Sequence, residues 1–269
     1  MIIFKSINTL VKEVNFKAEI GFVPTMGSLH KGHISLIKIS KKKCKKTVVS
    51  IFVNPSQFNE KNDYRKYPRN LHKDLLILKK LKVDFVLIPP INDVFKSKKN
   101  MKIPINFKLK ILCAKFRPGH FEGVLGVINE FLKKIKSKYI FLGEKDFQQA
   151  YIINNFIKKK FKTKVIICKT IRDKNFLPFS SRNIHLNKKE ILKSSFVSKS
   201  LRKFFILIKN NFKNKNKVVD YKKLLKKNNI NLEYLEIRNK INLSSRYNQK
   251  NFKIFVAYYI RNVRLIDNF

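Results

Sequence analysis

Ile20-Gly21-Phe22-Val23-Pro24-Thr25-Met26-Gly27-Ser28-Leu29-His30-Lys31-Gly32-His33 decides how this chain is read. Ile20 to Val23 is a short apolar run of the kind that forms a buried strand, Gly27 supplies a turn, and His33 to Cys44 spaces its apolar residues as a helix does. A strand that turns directly into a helix points the unpaired amides of the helix N-terminus at one place. His30 and His33 fall at that same place. Phosphate is its natural occupant, and a charged imidazole there would neutralise an α-phosphate whose charge grows during in-line displacement. Two solvent-facing histidines on a surface helix also satisfy a bare HxGH pattern; the strand, turn and helix around this one favour the phosphate site.

Outward from this segment the alternation continues. Thr47 to Val53, Val83 to Ile88, Tyr139 to Leu142 and Val165 to Cys168 read as further buried strands. Between them lie helices over Leu71 to Leu81, Phe121 to Ile135 and Phe147 to Ile157. Strands alternating with helices predict an α/β fold, a Rossmann-like parallel sheet with helices on both faces, whose ligands bind beyond the carboxyl ends of the strands. Past about residue 172 the texture changes. Lys188 to Asn211 reads as one or two basic amphipathic helices, Lys213 to Lys217 as a polar linker, and Leu232 to Ile237 and Lys253 to Ala257 as strands. A larger domain over 1–171 followed by a smaller α+β domain over 172–269 is therefore expected, and no internal repeat is found.

Composition narrows the class. The 269 residues are 44% apolar, enough for one large core or two smaller ones. The 61 Lys+Arg against 17 Asp+Glu give a net charge of +44, which taken alone points to nucleic acid or an anionic membrane. Yet 51 of the basic residues are Lys and 10 are Arg, Phe numbers 24, and Ala and Gly only 4 and 7. Residues with A/T-rich codons are inflated together, which fits drift in base composition better than selection for a polyanion, since Arg is what a dedicated nucleic-acid reader enriches. Cys44, Cys113 and Cys168 are odd in number and far apart, so neither a disulfide framework nor a zinc site is expected. The amino terminus lacks a signal-peptide pattern and no run of 18 apolar residues occurs, so a soluble, reduced, cytoplasmic protein without membrane partners is expected.

Other candidate segments follow the later strands. Asn54 and Gln57, in Ser50-Ile51-Phe52-Val53-Asn54-Pro55-Ser56-Gln57-Phe58, are amides suited to a small polar substrate, or simply turn residues. Gly143-Glu144-Lys145-Asp146-Phe147-Gln148-Gln149 places Lys145 at a phosphate-binding position, Asp146 as a helix cap and Gln149 one turn inward. Ser180, Ser181 and Arg182 offer two hydroxyls and a guanidinium to a polyphosphate. His120, inside Arg117-Pro118-Gly119-His120-Phe121, divides evenly between packing and substrate support.

Together, VPTMGSLHKGH, SIFVNPSQF, YPR at Tyr67 to Arg69, RPGHFEGV, GEKDFQQ, SSRN and the terminal RLIDN resemble one family, the pantothenate synthetases or pantoate–β-alanine ligases of the HxGH nucleotidyltransferase superfamily. The resemblance runs from about residue 20 to 269. It implies ATP-dependent condensation of pantoate with β-alanine to pantothenate, AMP and diphosphate through a pantoyl adenylate, a step toward coenzyme A. It further implies that Met26, Gly27, Ser28, Leu29, His30, Lys31, Gly32 and His33 line the ATP site, with His33 the proton donor and His30 and Lys145 catalytic beside it. Gly143, Glu144, Lys145, Asp146, Ile171, Phe179, Ser180, Ser181 and Arg182 complete that site, the smaller domain closing over it. Gln57 and Gln149 hold pantoate, Gln57 also meets β-alanine, and Asn54, Tyr67 and Arg117 are secondary candidates. Asp74 is the candidate Mg²⁺ ligand, and a homodimer is implied. The chain departs from the family at Phe179, where Met is usual, at Cys113-Ala114 before RPGH, and at Lys73, where an acidic residue often stands. A same-fold alternative, a nucleotidyltransferase acting on a phosphorylated cofactor precursor, lacks the NPxQF and GEKDxQQ segments.

If the charge is compositional, any DNA or RNA binding should be non-specific and collapse as salt rises, because counterion release drives it. Filter binding across a salt series checks this; sequence-selective binding surviving ~0.2 M salt would contradict it.

Overall fold

A computed structural model describes residues 1–269, in two compact units, Met1–Lys169 and Thr170–Phe269. The division falls two residues before the boundary expected from the sequence.

The first unit is built on six parallel strands, β1 Ile2–Phe4, β2 Ile20–Thr25, β3 Lys46–Ile51, β4 Phe85–Leu87, β5 Tyr139–Gly143 and β6 Lys164–Cys168, in the order β1-β4-β3-β2-β5-β6. β2 and β3 are almost continuously buried, as strands covered on both faces must be. On one face Val23, Val49 and Phe141 pack with Leu36 and Ile37 of helix Lys31–Lys43 and Leu78 of helix Leu71–Lys80. In the rest of the unit's core, Phe131 of helix His120–Lys134 makes edge-on contacts with Phe22 and Phe52, at centroid distances of 5.6 and 6.0 Å. No helix is long and apolar enough to cross a membrane. The three cysteines are free and buried.

The order of strands sets where a ligand fits. From β2 the chain winds outward through β3 and β4, then returns to lay β5 on the other side of β2, so the winding direction reverses between β2 and β5. Crevices at such reversals are where open α/β sheets bind ligands. Pro24 lies beside this one, past the last β2–β5 pair. Ile20 O accepts from Lys138 N–H on the β5 side (2.8 Å), and Thr25 O accepts from Phe52 N–H on the β3 side (3.0 Å). Alternation along the strand therefore turns the donorless nitrogen of Pro24 toward β5. The β2–β5 ladder stops at Phe22–Ile140, while β2–β3 pairing runs on to Thr25–Ile51.

The second unit packs helices Lys188–Asn210 and Val218–Lys227 with an antiparallel sheet of β7 Asn231–Asn239, β8 Phe252–Ile260 and β9 Val263–Asn268. Its core joins Val197, Leu201, Phe204 and Leu225 to Leu235, Ile254, Val256 and Tyr258. Lys188 onward is one helix, begun by Asn187 and Glu190 in a reciprocal cap. The expected linker at Lys213 to Lys217 is a 3₁₀ turn leading into the Val218 helix, which the run of lysines concealed. β9 is the RLIDN segment. Arg264 pairs with Glu233 across the sheet, and Asp267 receives both amino groups of Arg172, at 2.7 and 2.8 Å.

One close approach in the first unit ties helix to site. A Cβ on Gly123 would lie 2.5 Å from the Ser56 carbonyl oxygen, in the turn that carries Gln57. Ala is the better helix former by about 1 kcal/mol, but overpacking costs about 1–3 kcal/mol. Gly123→Ala should therefore lower the melting temperature, and a thermal melt showing stabilisation would contradict this packing.

Candidate active site

The turn after β2 is held from two directions. Thr25 Oγ1 donates to Ser50 O at 2.7 Å and accepts from Gly27 N–H at 3.2 Å. Gly27 then has φ +77° and Ser28 φ +50°. Left-handed backbone costs a residue with a Cβ about 1–2 kcal/mol. What holds Ser28 there is Asp74, 2% exposed, whose two oxygens accept from Ser28 N–H (2.8 Å) and Leu29 N–H (2.7 Å). Burial raises the Asp74 pKa, and the two amides oppose that rise.

Helix Lys31–Lys43 begins beyond this turn with His30 as its cap. Gly32 N–H donates to His30 Nδ1 at 3.1 Å, and His30 N–H approaches His33 Nδ1 at 3.4 Å. An imidazole nitrogen that accepts carries no proton, so both rings hold theirs on Nε2. The rings stack with centroids 4.0 Å apart. Burial first, then the Lys145 charge, pushes the His33 pKa down to about 4; burial, His33 and Lys145 lower that of His30 as well. The charged imidazole expected from the sequence is thus a neutral N–H donor in the unliganded protein.

Gly143, at the end of β5, leads into Glu144–Asp146 and helix Phe147–Lys160. Asp146 stands at the N-cap position but makes no side-chain cap; its carboxylate lies 3.7 Å from Lys145 Nζ. Gln149 is half-buried, while Gln148 is buried and donates to Leu109 O and Ile111 O, at 3.1 and 2.7 Å. The two adjacent glutamines therefore have different tasks, which their sequence alone did not separate.

After β3, buried Asn54 donates to Gln57 Oε1 at 3.2 Å and to Gly123 O at 3.0 Å, and accepts from Ser56 N–H at 3.2 Å. Gln57 Nε2 lies 2.7 Å from Met26 Sδ, which brings the β3 and β2 segments together. Tyr67 is buried against Phe58, with centroids 5.5 Å apart, and Arg69 donates to the carbonyls of Tyr64, Arg65 and Tyr67. The YPR motif is thus a folded corner of the segment after Gln57. Arg117 and His120 both reach the Gln57 main chain.

In the second unit, Ile171 and Phe179 face each other across a short hairpin, Phe179 N–H donating to Ile171 O at 3.0 Å. Ser180 Oγ accepts from Arg182 N–H at 3.3 Å and opens the turn Ser181–His185. The guanidinium of Arg172, in the same hairpin, lies over Phe176 and Phe269 at 4.6 and 4.3 Å.

The donors present do not fit a Mg²⁺ ion held by the protein. Each Asp74 oxygen accepts a main-chain amide, its neighbour is Lys73, and no three His, Cys, Asp or Glu side chains are grouped to hold a metal.

The chain is similar to known proteins along its whole length. The family model of pantoate-beta-alanine ligase matches residues 3–269. A pantothenate synthetase of Francisella philomiragia is 42% identical, covering 100% of this chain and 97% of its own length. A pantoate-beta-alanine ligase of Francisella tularensis, crystallised with beta-gamma ATP and beta-alanine, is 38% identical with a TM-score of 0.84, covering 100% of this chain and 97% of that one. The pantothenate synthetase of Thermus thermophilus superposes with a TM-score of 0.89 at 26% identity, over 100% and 99% of the two chains.

Burial of a neutral histidine makes stability depend on pH. The folded His33 value, about 4, lies below its ordinary 6.5, so the unfolded chain takes up more protons between these values. The stability it contributes is complete above about 6.5 and is lost as pH falls toward 4. Thermal melts from pH 7 to 4.5 should show a smaller loss for His33→Gln than for the unaltered chain, and parallel losses would show that His33 is not held neutral.

Proposed function

The chain belongs to the pantoate–β-alanine ligase family, and from that premise we propose that it joins its substrates in two steps through an enzyme-bound pantoyl adenylate. The overall reaction is ligation of pantoate to β-alanine, with ATP as the energy source. In the first step a pantoate carboxylate oxygen attacks the α-phosphorus, the bond to the bridging oxygen of the β-phosphate breaks, and diphosphate leaves. In the second the β-alanine nitrogen attacks the acyl carbon, AMP leaves, and the amine gives up a proton.

The observation that carries this reading is the neutral His30–His33 pair beside Lys145 at the helix N-terminus, where β2 and β5 part. Nε2–H donors need no charge to stabilise a developing phosphate charge, and an arriving polyphosphate raises the pKa of both rings toward the imidazolium form. His33, with His30 and Lys145, is proposed to act on the phosphates, the latter as a cation. Met26 to His33 and Gly143 to Asp146 are proposed as nucleotide contacts in the first unit. For Ile171, Phe179, Ser180, Ser181 and Arg182 that assignment rests on the motif alone. Gln57 and Gln149 are proposed to hold pantoate, with Gln57 also at β-alanine; Asn54 supports Gln57 through its side chain.

Mg²⁺ is proposed to arrive on the ATP phosphates, which with water supply the oxygen ligands it prefers. A homodimer and a cytoplasmic location belong to the same proposal and rest on the family resemblance.

The first step needs no amine, so labelled diphosphate should enter ATP when pantoate is present and β-alanine absent. No pantoate-dependent exchange by the folded protein would overturn the adenylate. His33→Gln should slow that exchange by ~100-fold or more, the usual cost of one donor aimed at developing charge. A change confined to apparent ATP affinity would remove His33 from the chemistry.

A further inference from the structure

Two donors from the RPGH segment converge on one acceptor outside the nucleotide site. The main-chain carbonyl of Gln57 has His120 Nδ1 at 2.6 Å and Arg117 Nη2 at 3.3 Å, and Arg117 Nη1 lies 3.0 Å from His120 Nε2. A carbonyl oxygen only accepts, so Nδ1 carries a proton. A guanidinium only donates, so Nε2 offers its lone pair. One form of the ring meets both conditions, the neutral Nδ1–H imidazole. Imidazolium and the Nε2–H tautomer each leave a donor facing a donor or an acceptor facing an acceptor.

His120 is buried against Phe121 at the start of helix His120–Lys134, so its ring is fixed by the same helix that supports the Gln57 turn through Gly123. Gln57 is thereby gripped at both ends, its side-chain oxygen by Asn54 and its carbonyl by His120 and Arg117. The held peptide plane fixes the point from which the side chain departs, and the contacts of Asn54 and Met26 orient the carboxamide at its end. We propose that His120 and Arg117 are positioning residues for Gln57, fixing the subsite for the small acid and the amine rather than that for the nucleotide. The inference rests on the reading of Gln57 as the pantoate and β-alanine contact. Displacing a substrate contact by about 1 Å costs as much as ~100-fold in rate.

The test compares His120→Ala, His120→Asn and Gln57→Ala by steady-state kinetics with each substrate varied in turn. Asn places an amide N–H close to where Nδ1–H stands, whereas Ala removes the donor; both lose the ring. His120→Ala should raise KM for pantoate and β-alanine by about tenfold, the worth of one such hydrogen bond, with KM for ATP within about threefold. His120→Asn should recover most of that loss. A merely structural role would move the three KM values together and leave Asn no better than Ala, and either result overturns the proposal. Gln57→Ala separates the two layers. If it raises KM for pantoate while His120→Ala does not, positioning is wrong and the subsite reading stands; if it leaves pantoate and β-alanine unaffected, both fall. Should His120→Ala not fold, Arg117→Lys must show the same split more weakly, and its absence counts against the proposal.

Discussion

Two hydrogen bonds from the amides of Ser28 and Leu29 to the buried carboxylate of Asp74 hold the conformation on which the site depends. Gly27 accepts a left-handed backbone readily, but Ser28 does not. Without an anchor the turn would relax, and the helix start at Lys31 would shift with it. Asp74 comes from helix Leu71–Lys80, packed on the sheet face that holds Leu36 and Ile37 of helix Lys31–Lys43. The anchor is therefore as rigid as that core. A Cβ on Gly27 would come within 3.0 Å of Asp74 Oδ2, so the close approach and the backbone conformation both ask for glycine. With an amide on each oxygen, Asp74 serves the polypeptide.

Legibility followed the range of the interaction. The five strands from Ile20 to Cys168 and the long helices carry their apolar pattern locally and lie where periodicity puts them, within a few residues. β1 and helix Ile7–Glu13 are too short to show a period, and β9 was hidden inside a motif whose pairing partners, Glu233 and Arg172, are 31 and 95 residues away. The apolar pattern also ends β2 too early, at Val23. Pro24 argues against a central strand, and only the alternation of pairing, which turns its nitrogen toward a ladder that has already ended, explains how the strand continues to Thr25.

The candidate site was legible as residue types beyond strand ends, and less so as roles. HxGH with a turn before it pointed to a phosphate site, but not to which nitrogen carries the proton, because that follows from the reciprocal contacts of His30 and His33. Asp74 came forward as a Mg²⁺ ligand only through the family resemblance; the two amides that it accepts are 45 and 46 residues away and have no signature in spacing. Gln148 and Gln149 differ only in which side of one helix each occupies, and burial assigns the first to the Leu109–Ile111 segment.

The net charge of +44 makes a neutral histidine pair look paradoxical. Exposure of the lysines and burial of the rings remove the paradox. Most lysines project into solvent, where salt screens them beyond about 8–10 Å. The charge that lowers both His30 and His33 is Lys145, in the turn Glu144–Asp146 that follows β5, while Asp146 partly offsets it at His33. Burial contributes more than either. A surface can therefore accumulate lysine without changing the protonation of this pair. The same burial that keeps the rings neutral in the free protein strengthens their response when a polyphosphate enters, because a charge brought into a poorly solvated place acts on its neighbours with little screening.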